Sequence, residues 1–348
     1  MPSLRRSAAY ALVLFVILLL VAGCGKRGSG EGGSGEDGKS GPRVGLVTDL
    51  GGLNDRSFNT LANQGLEQAK NELNADGAVL ESKSASDYEA NLGDFAQQGL
   101  DIVFAVGFLM ADPVKNVAGK AEDTKFGIID FDYGQGEIPP NVRGLLFKEQ
   151  EAGYLAGALA GMVEQDGKLK GLNSAKVVSV VGGQKIPPVD RYIAGFQAGV
   201  KAFCKQCKIL VNYSEEFLAQ EKCKEQALSQ IGQGSDIVFQ VAGGCGLGSL
   251  DAAKQKGVWG IGVDADQAHL GSHILTSALK RVDVAVYDTI KAVQDGTFEG
   301  GSNAEYGLAQ DGVGLGKIAP AAQAYQARMK PVIADITSGT VTPPTDVK

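Results

Sequence analysis

The segment GLVTDLGGLNDRSFN, residues 45–59, changes character in its middle. An apolar run typical of a buried strand stops at Asp49, and two glycines and a cluster of charged, aromatic and amide side chains follow. The glycines allow a tight turn, and the polar groups would then lie at the positive amino end of the next helix. The segment therefore predicts a strand, a turn with a functional surface and a helix in direct succession.

Short β-branched runs and longer amphipathic segments alternate along the rest of the chain. RVGLVTD, IVFAVG and KFGIIDF are strand-like, and a second series of the same kind begins with EQEAGYLAGALAGMVEQ. Continuous apolar strands separated by helices are typical of parallel sheets covered on both faces. The roughly 300 residues after Pro42 suit two domains of about 150 residues. We therefore expect two α/β units in tandem, followed by a strand HILTSALK, a helix at 283–295, a strand around EYGLAQDGVGL and a terminal helix near 320–338.

The amino terminus has the features of a secretory signal. Arg5 and Arg6 precede the apolar run YALVLFVILLLVAG, which at about 14 residues is shorter than the roughly 20 that a spanning helix needs. The run ends in LVAGC, which resembles the lipobox of bacterial lipoproteins, and by that resemblance Cys24 becomes the lipidated first residue of the mature protein. We interpret residues 1–23 as a lipoprotein signal peptide. A signal anchor, or an ordinary signal peptide with an incidental cysteine, is the alternative.

Residues 25–42 consist almost entirely of glycine, serine and charged side chains. Such a composition cannot bury enough apolar surface to offset the entropy of ordering. With Cys24 it forms the segment 24–42, a flexible linker with a reach of roughly 25 Å. The linker would hold a globular domain close to a membrane surface.

The charge of the chain disfavours nucleic acid as a partner. Its 33 Lys and Arg residues are outnumbered by 40 Asp and Glu residues, which gives a formal net charge of -7. Proteins that bind nucleic acid use basic surfaces to neutralise phosphates, and this sequence has no basic stripe.

Four cysteines follow Cys24, an even number in a chain predicted to be exported, where disulfides persist. Cys204 ends a predicted helix and Cys207 precedes the strand KILVNY, so both lie at the amino edge of the second sheet. Cys223 lies early in the helix after that strand and Cys245 follows DIVFQVAGG, so both lie at the carboxyl edge. A disulfide needs Cα atoms within about 7 Å, which favours Cys204 with Cys207 and Cys223 with Cys245. Four reduced, buried cysteines are the alternative, whereas a zinc site at CKQC would need two further ligands at matching spacing.

Chemically useful residues follow several of the predicted strands. They are Asp49, Asp130 and Asp132 in IIDFD, Gly243 and Gly244 in VAGGCG, and Asp264 in GVDADQ. Each alone suits an ordinary helix cap or turn. Because open parallel sheets bind ligands at the carboxyl ends of their strands, the shared position of these residues predicts a ligand site.

Common enzyme signatures are incomplete in this sequence. GGCGLGS lacks the G-x-G-x-x-G spacing of a dinucleotide site, and DGVGLGKI has Asp311 and Ile318 where a phosphate-binding loop needs a glycine and a hydroxyl residue. The sequence has no G-x-S-x-G elbow, and its two histidines, His269 and His273, lie close to one strand. We therefore predict a binding protein rather than an enzyme, with no metal and no cofactor.

Six longer motifs carry a resemblance to a known family: VGLVTDLGGLNDRSFN, GLEQAKNEL, VRGLLFKEQEAGYLAGALAG, DRYIAGFQAG, GVWGIGVDADQ and LTSALKRVDVAVYDTIK. Together, and in this order, they resemble the basic membrane protein family, the PnrA-like nucleoside-binding lipoproteins of ABC transporters. The resemblance extends from about residue 43 to about residue 335.

The resemblance implies an α/β fold of periplasmic-binding-protein type I. Such a fold has two Rossmann-like lobes with parallel sheets, joined by three crossing segments, and closes on its ligand between the lobes. We expect the crossings near 147–150, 265–273 and 300–306. The N-terminal lobe would then comprise residues 43–147 and 270–302, and the C-terminal lobe residues 148–269 and 303–340.

For the base of a nucleoside, the resemblance implies stacking between Phe58 in SFN and Phe196 in AGFQAG. Stacking on an aromatic face is worth about 1–3 kcal/mol per base. Asn59 and Asp130 would address the edge of the base, and Asp49 is a further candidate ligand-binding residue.

For the ribose, the resemblance implies Asp264 and Lys280 as partners of the hydroxyl groups, with Gly244 as a point of close backbone approach. A carboxylate accepts hydrogen bonds from a diol, and an ammonium donates to ring or ribose oxygens. The chain departs from the family pattern in having Asn54 before Asp55, in place of the usual acidic pair, and Arg56 where lysine is common. Both changes are expected to act on base preference.

These features predict a membrane-tethered substrate-binding lipoprotein of an ABC importer, which captures a purine nucleoside such as inosine, guanosine or adenosine. Its partners would be the nucleoside, the permease and ATPase of the transporter and, through the lipid, a bacterial membrane of the cell envelope. The protein would face the periplasm or the exterior. A ligand-sensing or adhesive surface lipoprotein of the same fold is the alternative, and a nucleoside hydrolase is a weaker one.

Overall fold

A computed structural model describes residues 41–134 and 136–348 of the chain. The predicted signal peptide, Cys24 and the linker as far as residue 40 therefore lie outside the described residues. Within the described residues, no helix combines the length and the apolar character that crossing a membrane requires.

In the described part of the chain, the first sheet has six strands in the order β11-β5-β4-β3-β1-β2. Their bounds are β1 Arg43–Thr48, β2 Asp76–Glu81, β3 Ile102–Val106, β4 Lys125–Ile129, β5 Val142–Phe147 and β11 Ser302–Tyr306. All neighbouring strands of this sheet run parallel.

The second sheet, within the same described residues, also has six strands, in the order β12-β10-β9-β8-β6-β7. Their bounds are β6 Val177–Gly182, β7 Lys208–Tyr213, β8 Ser235–Val241, β9 Trp259–Asp264, β10 Ile274–Lys280 and β12 Val313–Leu315. β12 pairs antiparallel with β10, and the other pairs are parallel. The two tandem α/β units predicted from the sequence are confirmed.

Helices connect the strands and cover both sheets. They are α1 Phe58–Leu73, α2 Asp87–Gln97, α3 Ala111–Ala118, α4 Glu149–Asp166, α5 Pro187–Phe203, α6 Gln220–Gly232, α7 Gly243–Lys256, α8 Val282–Gln294 and α9 Gln326–Thr337. Apolar positions three and four residues apart explain them: α1, for example, buries Leu61, Ala62, Leu66 and Ala69. The sheet with α1, α2, α3 and α8 is called the N-lobe below, and the sheet with α4, α5, α6, α7 and α9 the C-lobe.

The chain passes between the lobes at Lys148, after β5, then near Arg281 and again near Gly307. The crossing expected at 265–273, and with it the N-lobe assignment of residues 270–280, is wrong, because β10 pairs with β9 and β12 in the C-lobe. The apolar residues of β10 would fill either core equally well, so its sequence does not specify its sheet. The strand expected around EYGLAQDGVGL is likewise two strands in different lobes, β11 and β12.

Close packing of α4 against α5 positions residues at the carboxyl edge of the C-lobe sheet. A Cβ added to Gly153 or Gly157 of α4 would collide with the backbone carbonyls of Tyr192 or Phe196 on α5. Because glycine has no such atom, the two helix backbones approach closely. The amino ends of both helices are thereby brought together at the carboxyl edge of the C-lobe sheet.

Candidate ligand-binding cleft

A cleft lies between the lobes at the carboxyl ends of the strands, and the space inside it, including its opening to solvent, is about 640 Å³. The N-lobe lines it with Asp49, Gly51, Asp55, Phe58, Asn59, Gly107, Phe108, Leu109 and Asp130. The C-lobe lines it with Ile186, Pro188, Val189, Tyr192, Phe217, Val241, Gly243, Gly244, Val263, Asp264 and Lys280. Seven of the eight ligand-binding residues predicted from the sequence lie in these walls, and Phe196 does not.

Asp130 and Asp264 occupy equivalent places in the two lobes, at the ends of β4 and β9. Both have left-handed backbone conformations, with φ of 74° and 59°. Non-glycine residues adopt this region at a cost and concentrate at functional sites. In both lobes the conformation ends the strand and places a buried carboxylate in the wall of the cleft.

Lys280 is a buried cation held between carboxylates of both lobes. Its Nζ lies 2.6 Å from both oxygens of Asp130, donating to Oδ2, and 2.9 Å from Glu149 Oε1. Arg191 Nε donates to the other oxygen of Glu149 at 2.6 Å. Burial lowers the pKa of Lys280, but the neighbouring carboxylates outweigh this and raise it, so the ammonium stays charged.

The second carboxylate oxygen of Asp130 has an ionic contact in this network but no hydrogen bond. Its Oδ1 is buried and lies 2.6 Å from Lys280 Nζ, and it accepts no hydrogen bond from the described residues. Burial raises the pKa of this carboxyl group, and the positive charge of Lys280 opposes that rise. A buried acceptor gains from a hydrogen bond, so a ligand that donates to this oxygen would add to its ionic contact with Lys280.

Glu149 and Arg191 were not predicted as site residues. Glu149 is fully buried at the start of α4, and Arg191 lies in the first turns of α5. An acid in the first turn of a helix that follows a strand end was the available signal, in KEQEAGY. Its pairing with Lys280, 131 residues away, is not visible in the sequence.

Asp264 connects the two lobes directly. Its Oδ2 accepts a 2.7 Å hydrogen bond from Ser57 Oγ of the N-lobe, and its Oδ1 accepts one of 3.2 Å from Tyr192 of the C-lobe. Burial raises the pKa of Asp264. Gln267 adds a second link between the lobes by donating to the backbone carbonyl of Arg56 at 3.3 Å.

The amide of Asn59 is occupied within the N-lobe wall. Its Nδ2 donates to Asp49 Oδ1 at 2.7 Å and to Asp55 Oδ2 at 3.0 Å, and its Oδ1 accepts from the backbone N–H of Asp49 at 3.2 Å. Its two donors are therefore already in use, which argues against the direct contact with the base edge that was expected. Asn59 instead orients the carboxylate of Asp49.

Asp49 presents the polar atom that this arrangement leaves free. Its Oδ1 also accepts from the N–H of Gly51 at 2.8 Å, whereas Oδ2 accepts no hydrogen bond from the described residues. Burial, reinforced by the negative charges of Asp55 and Asp264, raises the pKa of Asp49 to about 6. Asn54 and Arg56 are exposed and do not line the cleft, so the expected effect of these two residues on base preference has no support in the geometry.

Aromatic rings enter the cleft from both lobes, but the C-lobe ring is not the one expected. Phe196 is fully buried in the core and packs on Phe239, with ring centroids 5.0 Å apart. It lies on the face of α5 that contacts α4 and the sheet, so it cannot reach a ligand. Phe217, in the loop after β7, lines the cleft instead, and Phe58 and Phe108 line it from the N-lobe.

The sequence contains an indication of a site role for Phe217, but the helix motif AGFQAG led to the prediction of Phe196 instead. EEFLAQ follows the carboxyl end of the strand KILVNY, and so lies at the same edge of a parallel sheet as the other site residues. An aromatic ring that follows two acidic residues in a loop at this edge of the sheet is a functional hint. AGFQAG, in contrast, is a small-residue helix surface, and such surfaces commonly pack against another helix.

Both disulfide pairs predicted from topology are confirmed. Cys204 bonds to Cys207 with a Cα–Cα distance of 5.4 Å, and Cys223 bonds to Cys245 with 5.6 Å. The first pair lies at the amino edge of the C-lobe sheet and the second at the carboxyl edge, beside the cleft. The first bond also excludes zinc binding by the CKQC thiols.

Two parallel α/β lobes, three crossings and a cleft at the strand ends define a periplasmic-binding-protein type I fold. A solved solute-binding protein of an ABC transporter system from Aeropyrum pernix has the same architecture: it superposes with a TM-score of 0.79 at 27% sequence identity, covering 88% of this chain and 94% of that one. The fold predicted from the sequence is therefore confirmed.

The chain belongs to the family of PnrA-like ABC transporter substrate-binding proteins, whose family model matches residues 43–339. It is 30% identical to the ABC transporter nucleoside-binding protein BmpA of Lactococcus lactis, covering 90% of this chain and 91% of the relative. It is 35% identical to an uncharacterized lipoprotein of Pyrococcus horikoshii, covering 89% of this chain and 77% of that relative. Because the family consists of solute-binding proteins, the prediction that the protein is not an enzyme is confirmed.

Proposed function

We propose that the cleft binds a purine nucleoside and that the protein delivers it to the permease and ATPase of an ABC importer. The observation that carries the proposal is the meeting of two kinds of group in one cleft. Aromatic rings enter from both lobes, and buried carboxylates and an ammonium stand at the strand ends. A nucleoside joins a flat base to a polyhydroxylated sugar, and therefore requires both.

Phe58 and Phe217 are the proposed stacking partners of the base. The two rings come from different lobes and line the same cleft, so closure of the lobes would bring both onto a base. Stacking contributes about 1–3 kcal/mol per base, and a purine offers a larger face than a pyrimidine. Asp49 is the proposed acceptor for an N–H at the edge of the base, because its Oδ2 remains free.

The buried charges suit the ribose. Hydroxyl groups can donate to Asp264 and to Asp130 Oδ1, which accepts no hydrogen bond from the described residues, and they can accept from Lys280. A sugar bound here would add hydrogen bonds to buried polar groups. A Cβ added to Gly244 would lie only 3.3 Å from the Phe217 carbonyl oxygen and 3.7 Å from Asp55, so the lack of a side chain at this cleft-lining position fits a close approach of backbone to ligand.

The proposed tether is a lipid on Cys24, which lies outside the described residues. The motif LVAGC and the polar linker after it support this assignment, and the Pyrococcus relative is named a lipoprotein. Two disulfides agree with a position outside the reducing cytosol. The described domain would then work at the outer face of a bacterial membrane, within the cell envelope.

Mass spectrometry of small molecules released by denaturing the purified protein tests the ligand class directly. Calorimetry with inosine, guanosine, adenosine, cytidine and uridine then ranks the ligands, and we expect micromolar or tighter binding of purine nucleosides. Tight binding of a free sugar or an amino acid, with none of the nucleosides bound, would refute the proposal. Uptake of labelled nucleoside by a deletion strain tests the transport step, because a sensing or adhesive protein would leave uptake unchanged.

A further inference from the structure

The loop of residues 214–219, between β7 and α6, carries Phe217 and is fastened to the first turn of α7. The N–H of Cys245 donates to the carbonyl of Phe217 at 2.9 Å. This N–H is one of the helix-terminal donors that have no partner within their own helix. The ring of Phe217 lies against Gly183, where an added Cβ would collide with it. The position of the ring therefore depends on where α7 begins.

A covalent bond ties α7 to the helix that follows this loop. Cys223 lies in the first turns of α6, and Cys245, the residue whose N–H holds Phe217, lies in the first turn of α7. Both cysteines are fully buried. Cys245 Sγ also lies 3.1 Å from the carbonyl oxygen of Ala219, at the end of the loop. The disulfide thus anchors the C-terminal side of loop 214–219 and the backbone donor that holds its centre.

The other disulfide offers a natural comparison. Cys204 and Cys207 are equally buried and belong to the same lobe. Their bond joins the end of α5 to the start of β7, at the sheet edge opposite the cleft. Neither cysteine lines the cleft. The two bonds share their chemistry and burial but differ in their relation to the ligand.

We propose that the Cys223–Cys245 disulfide is a positioning element of the binding site, which sets ligand affinity by holding Phe217 in place against the base. This inference rests on the proposed binding of a purine nucleoside. A stacking ring that is already in position costs less ordering on binding than a mobile one. Loss of the bond would free loop 214–219, and the main effect would fall on the dissociation rate.

The test measures the affinity and dissociation rate of inosine for four proteins: wild type, C223A/C245A, C204A/C207A and F217A. A fifth protein combines C223A/C245A with F217A. We expect C223A/C245A to bind inosine about tenfold more weakly, mostly through faster dissociation, and C204A/C207A to bind like the wild type. In the F217A background the cysteine substitutions should cause no further loss, because the ring through which they act is absent.

The outcomes are distinguishable. If the wild type binds no purine nucleoside, the proposed function and this inference both fall. If the wild type binds but C223A/C245A binds equally well, or loses the same factor with and without Phe217, or loses no more than C204A/C207A, this inference alone is overturned. An equal loss with and without Phe217 would show that the Cys223–Cys245 disulfide has only a general structural role.

A second measurement covers the case in which C223A/C245A does not fold. C204A/C207A retains only the Cys223–Cys245 bond within the described residues, so a phosphine reductant opens that bond alone. Hydrogen exchange should then accelerate in residues 214–219 and at the amide of Cys245, and inosine should dissociate faster. Unchanged exchange in the opened protein would contradict the proposed role.

Discussion

The two lobes share one strand order, but the walls that they contribute to the cleft differ in chemistry. In the N-lobe, β1 is followed by Asp49, and the side chains of Asp49, Asp55 and Asn59 hydrogen-bond to one another. In the C-lobe, the equivalent strand β6 ends at Gly182, and the wall beyond it is largely aliphatic and aromatic. That wall consists mainly of Ile186, Pro188, Val189, Phe217 and Val241.

The difference shows how one architecture supports two tasks. The parallel sheets place a loop at each strand end, but the side chains in the loop decide what that loop does. The N-lobe wall holds its acids rigidly and so can orient a ligand by hydrogen bonds. Beyond β6 the C-lobe wall offers apolar area, which favours binding without specifying orientation, and its polar contacts come from Asp264 and Lys280 at the ends of β9 and β10. A ligand with one flat face and several hydroxyl groups uses both.

Polar side chains of one lobe also pair with polar side chains of the other where the two lobes meet. Lys280 of the C-lobe neutralises Asp130 of the N-lobe, and Asp264 of the C-lobe accepts from Ser57 of the N-lobe. Each lobe therefore supplies a partner for a buried carboxylate of the other lobe. The comparison can be tested by removing one contribution at a time.

The largest effect is expected from Lys280→Met. It would leave the buried carboxyl group of Asp130 without its cation and Glu149 with Arg191 alone, and breaking a buried pair costs about 3–5 kcal/mol. Urea unfolding measures the loss. Lys148→Met is the matched control, because its pair with Glu305 is largely exposed and worth about 1 kcal/mol or less. Equal losses in the two variants would show that the charges joining the lobes are not important for stability.

A pair of phenylalanine substitutions separates the cleft from the core of the C-lobe. Phe196→Ala should cost about 3–5 kcal/mol of unfolding free energy, because it opens a cavity in a packed core, and the folded fraction should bind inosine normally. Phe217→Ala should leave stability nearly unchanged and cost about 1–3 kcal/mol of binding free energy. Thermal melts and calorimetry on both variants provide the measurement. The reverse pattern would restore Phe196 as the stacking residue.

Asp264→Ala tests the ribose contact. Removing a charged hydrogen-bonding partner of the sugar should cost about 1.5–3 kcal/mol of binding free energy. The matched comparison uses 2′,3′-dideoxyinosine, which the wild type should bind more weakly than inosine. The variant should distinguish the two ligands less than the wild type does, because Asp130 and Lys280 remain. Equal affinity of the wild type for both would remove Asp264 from the ribose site.

The smallest effect concerns pH and the N-lobe wall. Asp49 has a pKa raised to about 6 by burial, and its ionised form accepts an N–H from the base more strongly than its protonated form does. Affinity should therefore be full above pH 7 and fall by at most about tenfold at pH 5, one pKa unit below the midpoint. The ligand-free protein should change in the opposite sense: the folded state holds the proton more tightly than the unfolded state, so Asp49 lowers stability as pH rises from about 4 to about 6.

Calorimetry at pH 5, 6 and 7.5 on the wild type and on Asp49→Asn checks this pH dependence. The asparagine variant should lose the affinity change over this range. A wild-type affinity that is constant from pH 7.5 to pH 5 would show that Asp49 does not accept from the ligand.

Several features of this protein follow from the amino-acid sequence alone. Alternating apolar runs specify parallel sheets, because a strand covered on both faces must be apolar throughout. Asp49, Asp130 and Asp264 could be placed at the cleft because strand ends are local features and parallel strands share one edge. The cysteine pairs followed from the same reasoning, since sheet topology left only neighbours on the same edge within bonding distance.

Other features were decided by the tertiary structure. Phe196 lies within α5 and Phe217 in the loop after β7, and the packing of α5 against α4 and the sheet keeps Phe196 in the core while Phe217 lines the cleft. The hydrogen bonds of the Asn59 amide also depend on the folded turn that brings Asp49 and Asp55 to it. The sheet that β10 joins depends on its pairing with β9 and β12. Such partners are selected by the free energy of the whole packed fold, because each contact is possible only when both surfaces have been formed and brought together. A local pattern therefore specifies where a side chain stands along its strand or helix, and the assembled core decides what it touches.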